Sequence, residues 1–595
     1  MHKLSLLFRF LKGSRLTYLG ALFAVLGNVA VAAIVPMIIK ATLDSILDNQ
    51  PFSLPNQVVD IINRNGGVDW IRQNLWILLI ILVILTLLQG AFQFLRAKLS
   101  SLTGENSAKR MRDRIYLHVL RQPFDYHVKA QTGDIIQRCT SDIETAQNFI
   151  ANQSIEAVSI IIQVIIVLAI MLSMNVRYTI ISIVLIPIIM ILTIRFFKSM
   201  MSIFLETDES EGVLSANLQE NLTGVRVVKA FAAQQFEIRK FDESNRCYRD
   251  NIMKIVKLMS NFWSSSDFLC MLQFIAVVVA GTWWIADGTI TLGTMVAFTT
   301  YAGMLIWPIR GLGQMMGFMG QAFVSLTRIQ EILDSKEEDY SSGQNGLSIH
   351  GGLRFDDVRF GYTEDHPLLD GVSFEVKPGT TTAILGATGS GKSSLVHLLL
   401  RLYDYQKGSI QIDGVELSSI SREWIRSNIG MVLQEPFLFS RNIEENIRVG
   451  RPDATTDEIR EAARIACVDD AIGEFEDGYN TMVGERGVTL SGGQRQRVAI
   501  ARTILREAPI LIFDDSLSAV DTETDASIRR ALRERRNRAT TLIISHRITT
   551  LAEADQILVL DHGKIVQRGT HAELIQQDGH YRQIWEIQSN MDAIA

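Results

Sequence analysis

The sequence predicts a two-part fold: an α-helical membrane domain of six spans with long cytoplasmic extensions, followed by an α/β domain built on a phosphate-binding loop. Three observations predict it. Six apolar runs of spanning length lie in the first half of the chain. Short β-type runs alternating with helices begin at Leu347. A glycine-rich turn at Gly386–Ser394 joins an apolar strand to an apolar helix. At 595 residues the chain exceeds one core, and 47% hydrophobic residues favour a membrane protein carrying a further domain.

The runs are Leu19–Ile39, Leu75–Leu95, Ile155–Met174, Thr179–Ile194, Phe268–Ala286 and Leu292–Ile309. Six crossings return both termini to one side. Arg96, Lys98, Lys109, Arg110, Arg112 and Arg114 follow the second run, and Arg195 and Lys198 the fourth, whereas the Asp44–Arg72 connection carries Asp44, Asp48, Asp60 and Asp69. The positive-inside rule then places both termini in the cytoplasm of a multi-pass protein of the cell membrane. Lys3, Arg9, Lys12 and Arg15 precede a run long enough to span, so it reads as the first helix and not as a cleaved signal. The polar stretches 96–154 and 195–261 read as helical extensions, where 20 residues reach about 30 Å. Pro36, Pro187 and Pro308 predict kinks.

A net charge of −6 leaves no basic footprint for nucleic acid. Cys139, Cys247, Cys270 and Cys467 have no metal or disulfide spacing and read as unpaired thiols. Domain limits follow composition: 1–333 for the membrane part, a polar acidic linker at 334–346, and 347–595 for the α/β part.

The turn GATGSGKSS fits G-x-x-x-x-G-K-[ST] in the required strand-to-helix context. Backbone N–H groups of Gly386, Thr388, Gly389, Ser390 and Gly391 close around phosphate oxygens, aided by the positive end of the following helix. Lys392 reaches the outer phosphates, and Ser393, followed by Ser394, offers a hydroxyl to Mg²⁺. The apolar run Ile510–Phe513 ends in Asp514, a carboxylate suited to the same Mg²⁺. The ligands implied are ATP and Mg²⁺.

LSGGQ at Leu490–Gln494, with Gln434 in VLQEPFLFS and His546 in IISHR, makes this half resemble the nucleotide-binding domain of ABC transporters. The resemblance implies that Ser491, Gly492, Gly493 and Gln494 meet the γ-phosphate of ATP held by an opposite domain, so that two domains sandwich two ATPs. It implies adenine stacking for Tyr362, a magnesium-side and coupling role for Gln434, a γ-phosphate contact for His546, and an interface loop at Ser518–Asp521 that includes Asp521. Gly484–Gly487 resembles the exporter segment that touches the cytoplasmic loops. Gln122–Glu144 and Glu220–Phe241 resemble the loops of six-helix ABC exporters, with short docking helices expected near Pro123–Tyr126 and Asp208–Ser215. Export is favoured over import.

The family places glutamate after the metal-binding aspartate; this chain has Asp515. A general base must lie about 2.6–3.2 Å from its water and contributes roughly 10²–10⁴-fold. Aspartate is one carbon–carbon bond shorter, about 1.5 Å of reach. An intact signature beside an altered base resembles one subunit of bacterial heterodimeric exporters. The expected partner is therefore a different half-transporter carrying the glutamate, with a homodimer hydrolysing through Asp515 as the alternative.

The cargo expected is a small amphipathic molecule: a drug, lipid or peptide. Asn28, Lys40, Gln89, Gln93 and Asp267 are polar positions in or beside apolar runs, where such groups face a cavity, a partner or the interface. Trp307–Phe323, with Met315, Met316 and Met319, suits either helix packing or an adaptable cavity wall. An ATP-gated channel or regulatory membrane protein is the other class to separate from a pump.

Overall fold

The computed structural model describes residues 11–47, 70, 72–363, 366–484, 487, 489–517, 520–534 and 539–592. Several sequence readings lie outside the described residues: Lys3, Arg9, Asp48, Asp60, Asp69, Glu485, Arg486, Ser518, Ala519 and the Met316 side chain. The chain divides into two units. One holds the residues up to Leu120 together with Gln131–Ser335; the other holds Arg121–Ala130 and the chain from Lys336 onward.

Among the described residues of the first unit, six helical segments are long and apolar enough to cross a membrane: Arg15–Ser45, Trp76–Leu120, Thr132–Met174, Val176–Thr223, Gln234–Ala286 and Leu292–Gly313. They coincide with the six apolar runs. The extensions are also present. The helix Trp76–Leu120 has 45 residues, about 68 Å at 1.5 Å per residue, against a hydrocarbon layer of about 30 Å. The helix Gln234–Ala286 runs unbroken for 53 residues.

The three prolines are accommodated in different ways. Pro36 and Pro308 sit inside continuous helices. Pro308 lacks an N–H, which leaves the Met304 carbonyl without its helical donor, and Gln163 Nε2 from the third span donates to it at 2.7 Å. The Tyr301 hydroxyl donates to the Ala33 carbonyl, beside Pro36, at 2.7 Å. Near Pro187 the fourth span is broken instead: one helix covers Val176–Ile183, and the next starts at Ile186. The fully buried Gln273 closes this break. Its amide donates to Ile181 O at 2.8 Å and accepts from Leu185 N at 3.0 Å. Non-helical backbone at membrane depth survives only where protein groups satisfy it. Gln273→Leu should therefore cost about 2–4 kcal/mol, one buried donor and one buried acceptor left unpaired, and lower the thermal unfolding midpoint in detergent or nanodiscs.

Polar positions in the spans are paired. Asn28 donates to Gln89 O and Gln93 Oε1. Lys40 bridges Asp44 at 3.0 Å, and Asp44 also accepts from Thr291 Oγ1 and Gly293 N. Asp267 pairs with Arg310.

Of the two expected docking helices, the first is present as Phe124–Lys129. The second is not at Asp208–Ser215. That stretch lies within the helix Ile186–Thr223, and the short helix is Val225–Ala230. Gly212 is tolerated inside good helix formers at about 1 kcal/mol, whereas Thr223–Gly224 ends the helix.

The second unit contains strands β1 (Leu353–Phe360), β2 (Leu369–Val376), β3 (Thr381–Leu385), β4 (Lys407–Ile412), β5 (Val415–Glu416), β6 (Ile429–Val432), β7 (Ile510–Asp514), β8 (Thr540–Ile544), β9 (Gln556–Asp561) and β10 (Lys564–Gly569). An antiparallel sheet has the order β2-β1-β4-β5. A second sheet, β10-β9-β3-β8-β7-β6, is parallel from β9 to β6. Every residue of β7 and β8 is buried, as expected of parallel strands covered on both faces. In such sheets ligands bind beyond the carboxyl ends of the strands. Here β3 ends at the glycine-rich loop, β7 at Asp514 and β8 just before His546. Within the stretch read as a linker, the helix ends at Asp334, while Glu338 already belongs to the second unit, where it is forked onto Arg426 with both contacts at 2.7 Å.

Candidate functional site

A cavity of about 650 Å³ opens at these strand ends. Tyr362, Gly386, Thr388, Gly389, Gly391, Lys392, Ser393, Ser394, Gln434, Asp514, Asp515 and His546 line it, bringing together residues spread over more than 180 positions of sequence. Leu368, Ile544 and Ser545 also line it; the sequence reading did not single them out, because they are ordinary apolar or small residues at strand ends.

The loop's glycines are needed at two points. Gly391 has φ +103°, and a Cβ there would lie 2.6 Å from Leu369 Cδ2. Gly386 packs so closely that a Cβ would meet Leu560 O at 2.2 Å. Gly391 then caps the helix Lys392–Leu399, so its first turn faces the cavity. Lys392 Nζ donates to the carbonyls of Gly386 and Ala387, both at 2.8 Å. Burial lowers its pKa. Ser390 is buried and does not line the cavity; its hydroxyl has no hydrogen-bond partner among the described residues.

Ser393 Oγ donates to Asp514 Oδ1 at 3.2 Å. Asp514 is 5% exposed at the end of β7, and burial pushes its pKa up. A hydroxyl and a buried carboxylate side by side fit Mg²⁺, which takes one or two protein oxygens and completes its shell with phosphate and water. Asp515 adopts φ +45°, a left-handed conformation that aspartate tolerates better than most residues. Its N–H donates to Ile544 O at 2.9 Å. Its carboxylate Oδ1 lies 3.0 Å from His546 Nδ1. The loop bearing His546 is braced by Gln588, which donates to His546 O and accepts from Ile548 N. Only the fold shows that brace, 42 residues away.

Tyr362 is half exposed, and its hydroxyl shares a 2.8 Å hydrogen bond with Ser394 Oγ. Its ring meets Tyr403 edge-on at 5.1 Å. Tyr403 in turn meets Phe124 of the loop helix Phe124–Lys129 at 5.6 Å, and His397 lies 6.0 Å from Phe124. His397 has its pKa lowered by burial. This aromatic chain was not legible beforehand, since Phe124 lies far from Tyr403 in sequence.

The signature residues stand apart from the cavity. Ser491 caps the helix Gly492–Leu505 in a reciprocal box: its hydroxyl accepts from Gln494 N, and its own N–H donates to Gln494 Oε1. Ser491 and Gly492 are exposed, and neither they nor Gly493 and Gln494 line the cavity. Asp521 is also outside the lining; it accepts from Thr524 N at 2.9 Å, and this backbone hydrogen bond lowers its pKa. One chain thus holds half of each composite site that the resemblance implies.

Residues 18–309 match the profile of the ABC transporter transmembrane region, and residues 369–518 match the ABC transporter profile. The chain is 35% identical over 578 residues to an uncharacterized ABC transporter ATP-binding protein, YknU, of Bacillus subtilis, covering 96% of this chain and 95% of that one. It is 32% identical to a proposed multidrug-export ATP-binding/permease protein, YgaD, of the same organism, over 91% of this chain and 94% of that one. A fatty acid ABC transporter ATP-binding/permease protein of Mycobacterium tuberculosis is 37% identical over 82% of this chain and 78% of its own length. Among solved structures, a bacterial Atm1-family ABC exporter with ATP bound superposes with a TM-score of 0.80 at 26% identity, covering 96% of this chain and 99% of that one. With six spans, the two matched domains and near full-length relatives, this chain belongs to the ABC transporter family as a six-span exporter-type half-transporter of the bacterial multi-pass membrane class.

Proposed function

We propose that this chain is one half of a heterodimeric ATP-driven exporter of amphipathic molecules, and that its own nucleotide site hydrolyses slowly. The observation that carries the reading is the cavity that gathers Lys392, Ser393, Gln434, Asp514, Asp515 and His546 around a glycine-rich loop, with aspartate where the family has glutamate. Tyr362 would stack on adenine. The loop N–H groups and Lys392 would hold the phosphates, and Ser393, Asp514 and Gln434 would stand on the metal side. Mg²⁺ bound there would neutralise phosphate charge. Asp515, engaged by His546, would have to polarise water with a side chain one methylene short.

The exposed signature, Ser491–Gln494, would then complete the partner's site, where a glutamate would do the fast hydrolysis. ATP would close the two nucleotide domains, and hydrolysis would let them part. The names of the relatives support a cargo with a large apolar part.

Two experiments test the reading. Tagging this chain in its native membrane and weighing what co-purifies should give a second, different chain in equal amount; a pure homodimer would sink the two-site account. Sealed vesicles should accumulate cargo uphill only when ATP is hydrolysed. Passive conductance that persists with hydrolysis blocked would favour a channel instead. Within the pump reading, Phe124→Ala should lower transport per ATP consumed several-fold and leave ATP binding near normal, because it cuts the ring contacts with Tyr403 and His397. Paired transport and phosphate-release assays would check it.

A further inference from the structure

We infer that a second cavity, in the membrane unit, is a recognition site for an amphipathic anion, and that Arg310 grips its head. The inference rests on the export reading and names the cargo class. The cavity encloses about 460 Å³ between the fourth, fifth and sixth spans, and Phe196, Met201, Phe204 and Phe262 form much of its wall. Its volume is in the range of ligand sites, about 300–1,000 Å³, and its wall is apolar apart from few polar groups.

Arg310 is the charged residue in that lining, and it is 5% exposed. Its guanidinium lies between the rings of Trp263 and Trp307, at 4.7 and 5.0 Å from their centres. Nη1 donates to Asp267 Oδ1 at 2.7 Å. Nε and Nη2 are buried and donate to no oxygen among the described residues; the buried Cys270 thiol, a weak partner, also lies against Arg310. These two nitrogens form one edge of the guanidinium, whose parallel N–H groups match a carboxylate or phosphate bidentately. Leaving both without an oxygen acceptor is costly, so an anion gains most where a small turn of the Arg310 side chain brings that edge into the cavity.

A cationic cargo fits worse. Arg310 already places a positive charge against one face of each of Trp263 and Trp307 and beside Asp267, and it would repel a second cation. Arg310 lies about 27 Å along its helix from Leu292. That is the cytoplasmic edge of a hydrocarbon layer about 30 Å thick, on the side from which an exporter loads.

The test uses the full-length chain with whatever partner co-purifies, in nanodiscs and without nucleotide, so that binding is read apart from pumping. The probes are oleate, lysophosphatidate, methyl oleate and oleylamine. Oleate or lysophosphatidate should bind at least tenfold more tightly than the neutral ester and the amine, and the tighter of the two identifies a carboxylate or phosphate head. Arg310→Gln should weaken anion binding about 10- to 100-fold and leave the ester unchanged. Arg310→Lys, which keeps the charge but loses the fork, should fall between. Asp267→Asn, which leaves Arg310 in place and removes its competing carboxylate, should strengthen anion binding, so the idea does not depend on Arg310→Gln folding. Ester or amine binding as tight as the anions, already in the unaltered protein, would overturn the proposal. A complex that binds oleate through Arg310 yet does not pump it would keep this site and overturn export of that cargo.

Discussion

Replacing Asp515 by glutamate should raise ATP hydrolysis by the assembled transporter. The general base is worth roughly 10²–10⁴-fold, or about 3–5 kcal/mol of barrier, and one methylene of reach separates the two carboxylates. The left-handed backbone at this position (φ +45°) suits glutamate less well than aspartate, a cost of about 1–2 kcal/mol that is smaller than the barrier change at stake. Asp515 hangs from a turn whose N–H is tied to Ile544 O, and its side chain faces a cavity with room for a longer one. The rise should appear in turnover rather than in ATP affinity, and it should survive when the partner's own hydrolysis is blocked. Phosphate release measured on the purified complex, with and without such a block, is the check. No gain in either case would mean that the base is not what limits this site.

Asp514→Asn should remove most of the Mg²⁺-dependent part of ATP affinity at this chain's site while stabilising the nucleotide-free protein. A charge-assisted contact of this kind is worth about 1.5–3 kcal/mol, on the order of tenfold or more in affinity. The stabilisation follows from the direction of the pKa shift. Burial raises the folded pKa of Asp514 above its unfolded value, so without metal its favourable contribution is full below the unfolded pKa and is lost as pH rises through the folded one. The neutral amide escapes that loss and still accepts from Ser393. Nucleotide binding has the opposite dependence. The metal needs the carboxylate, so Mg²⁺-dependent ATP affinity should fall as pH drops through the raised pKa, earlier than for an ordinary aspartate. Titrations with and without Mg²⁺ across pH, beside thermal unfolding of both proteins, would show it. An unchanged Mg²⁺ dependence in the variant would remove Asp514 from the metal site.

The six spans, the glycine-rich strand-to-helix turn, the strand ending in Asp514 and the helix capped by Ser491 were legible because each is encoded by neighbouring residues. A spanning helix satisfies its own backbone, so an apolar run suffices to announce it. A phosphate loop draws its geometry from adjacent glycines. The exposed capping box of Ser491 and Gln494 is equally local. The second docking helix was misplaced because Gly212 and its neighbours are locally ambiguous, and only the continuous packing of the long helix decides in favour of a break at Gly224.

What the tertiary structure alone decided involves partners far apart in sequence. Gln273 closes a helix break 88 residues away. Gln588 steadies His546, and Phe124 reaches Tyr403 and His397. Asp267, read from sequence as a lone polar position, became half of a pair whose other member, Arg310, stood unremarked at the end of an apolar run. Each of these depends on which helix faces turn toward one another. That choice is set by packing over the whole unit, because a side-chain hydrogen bond or ring contact leaves no periodicity in the chain that makes it.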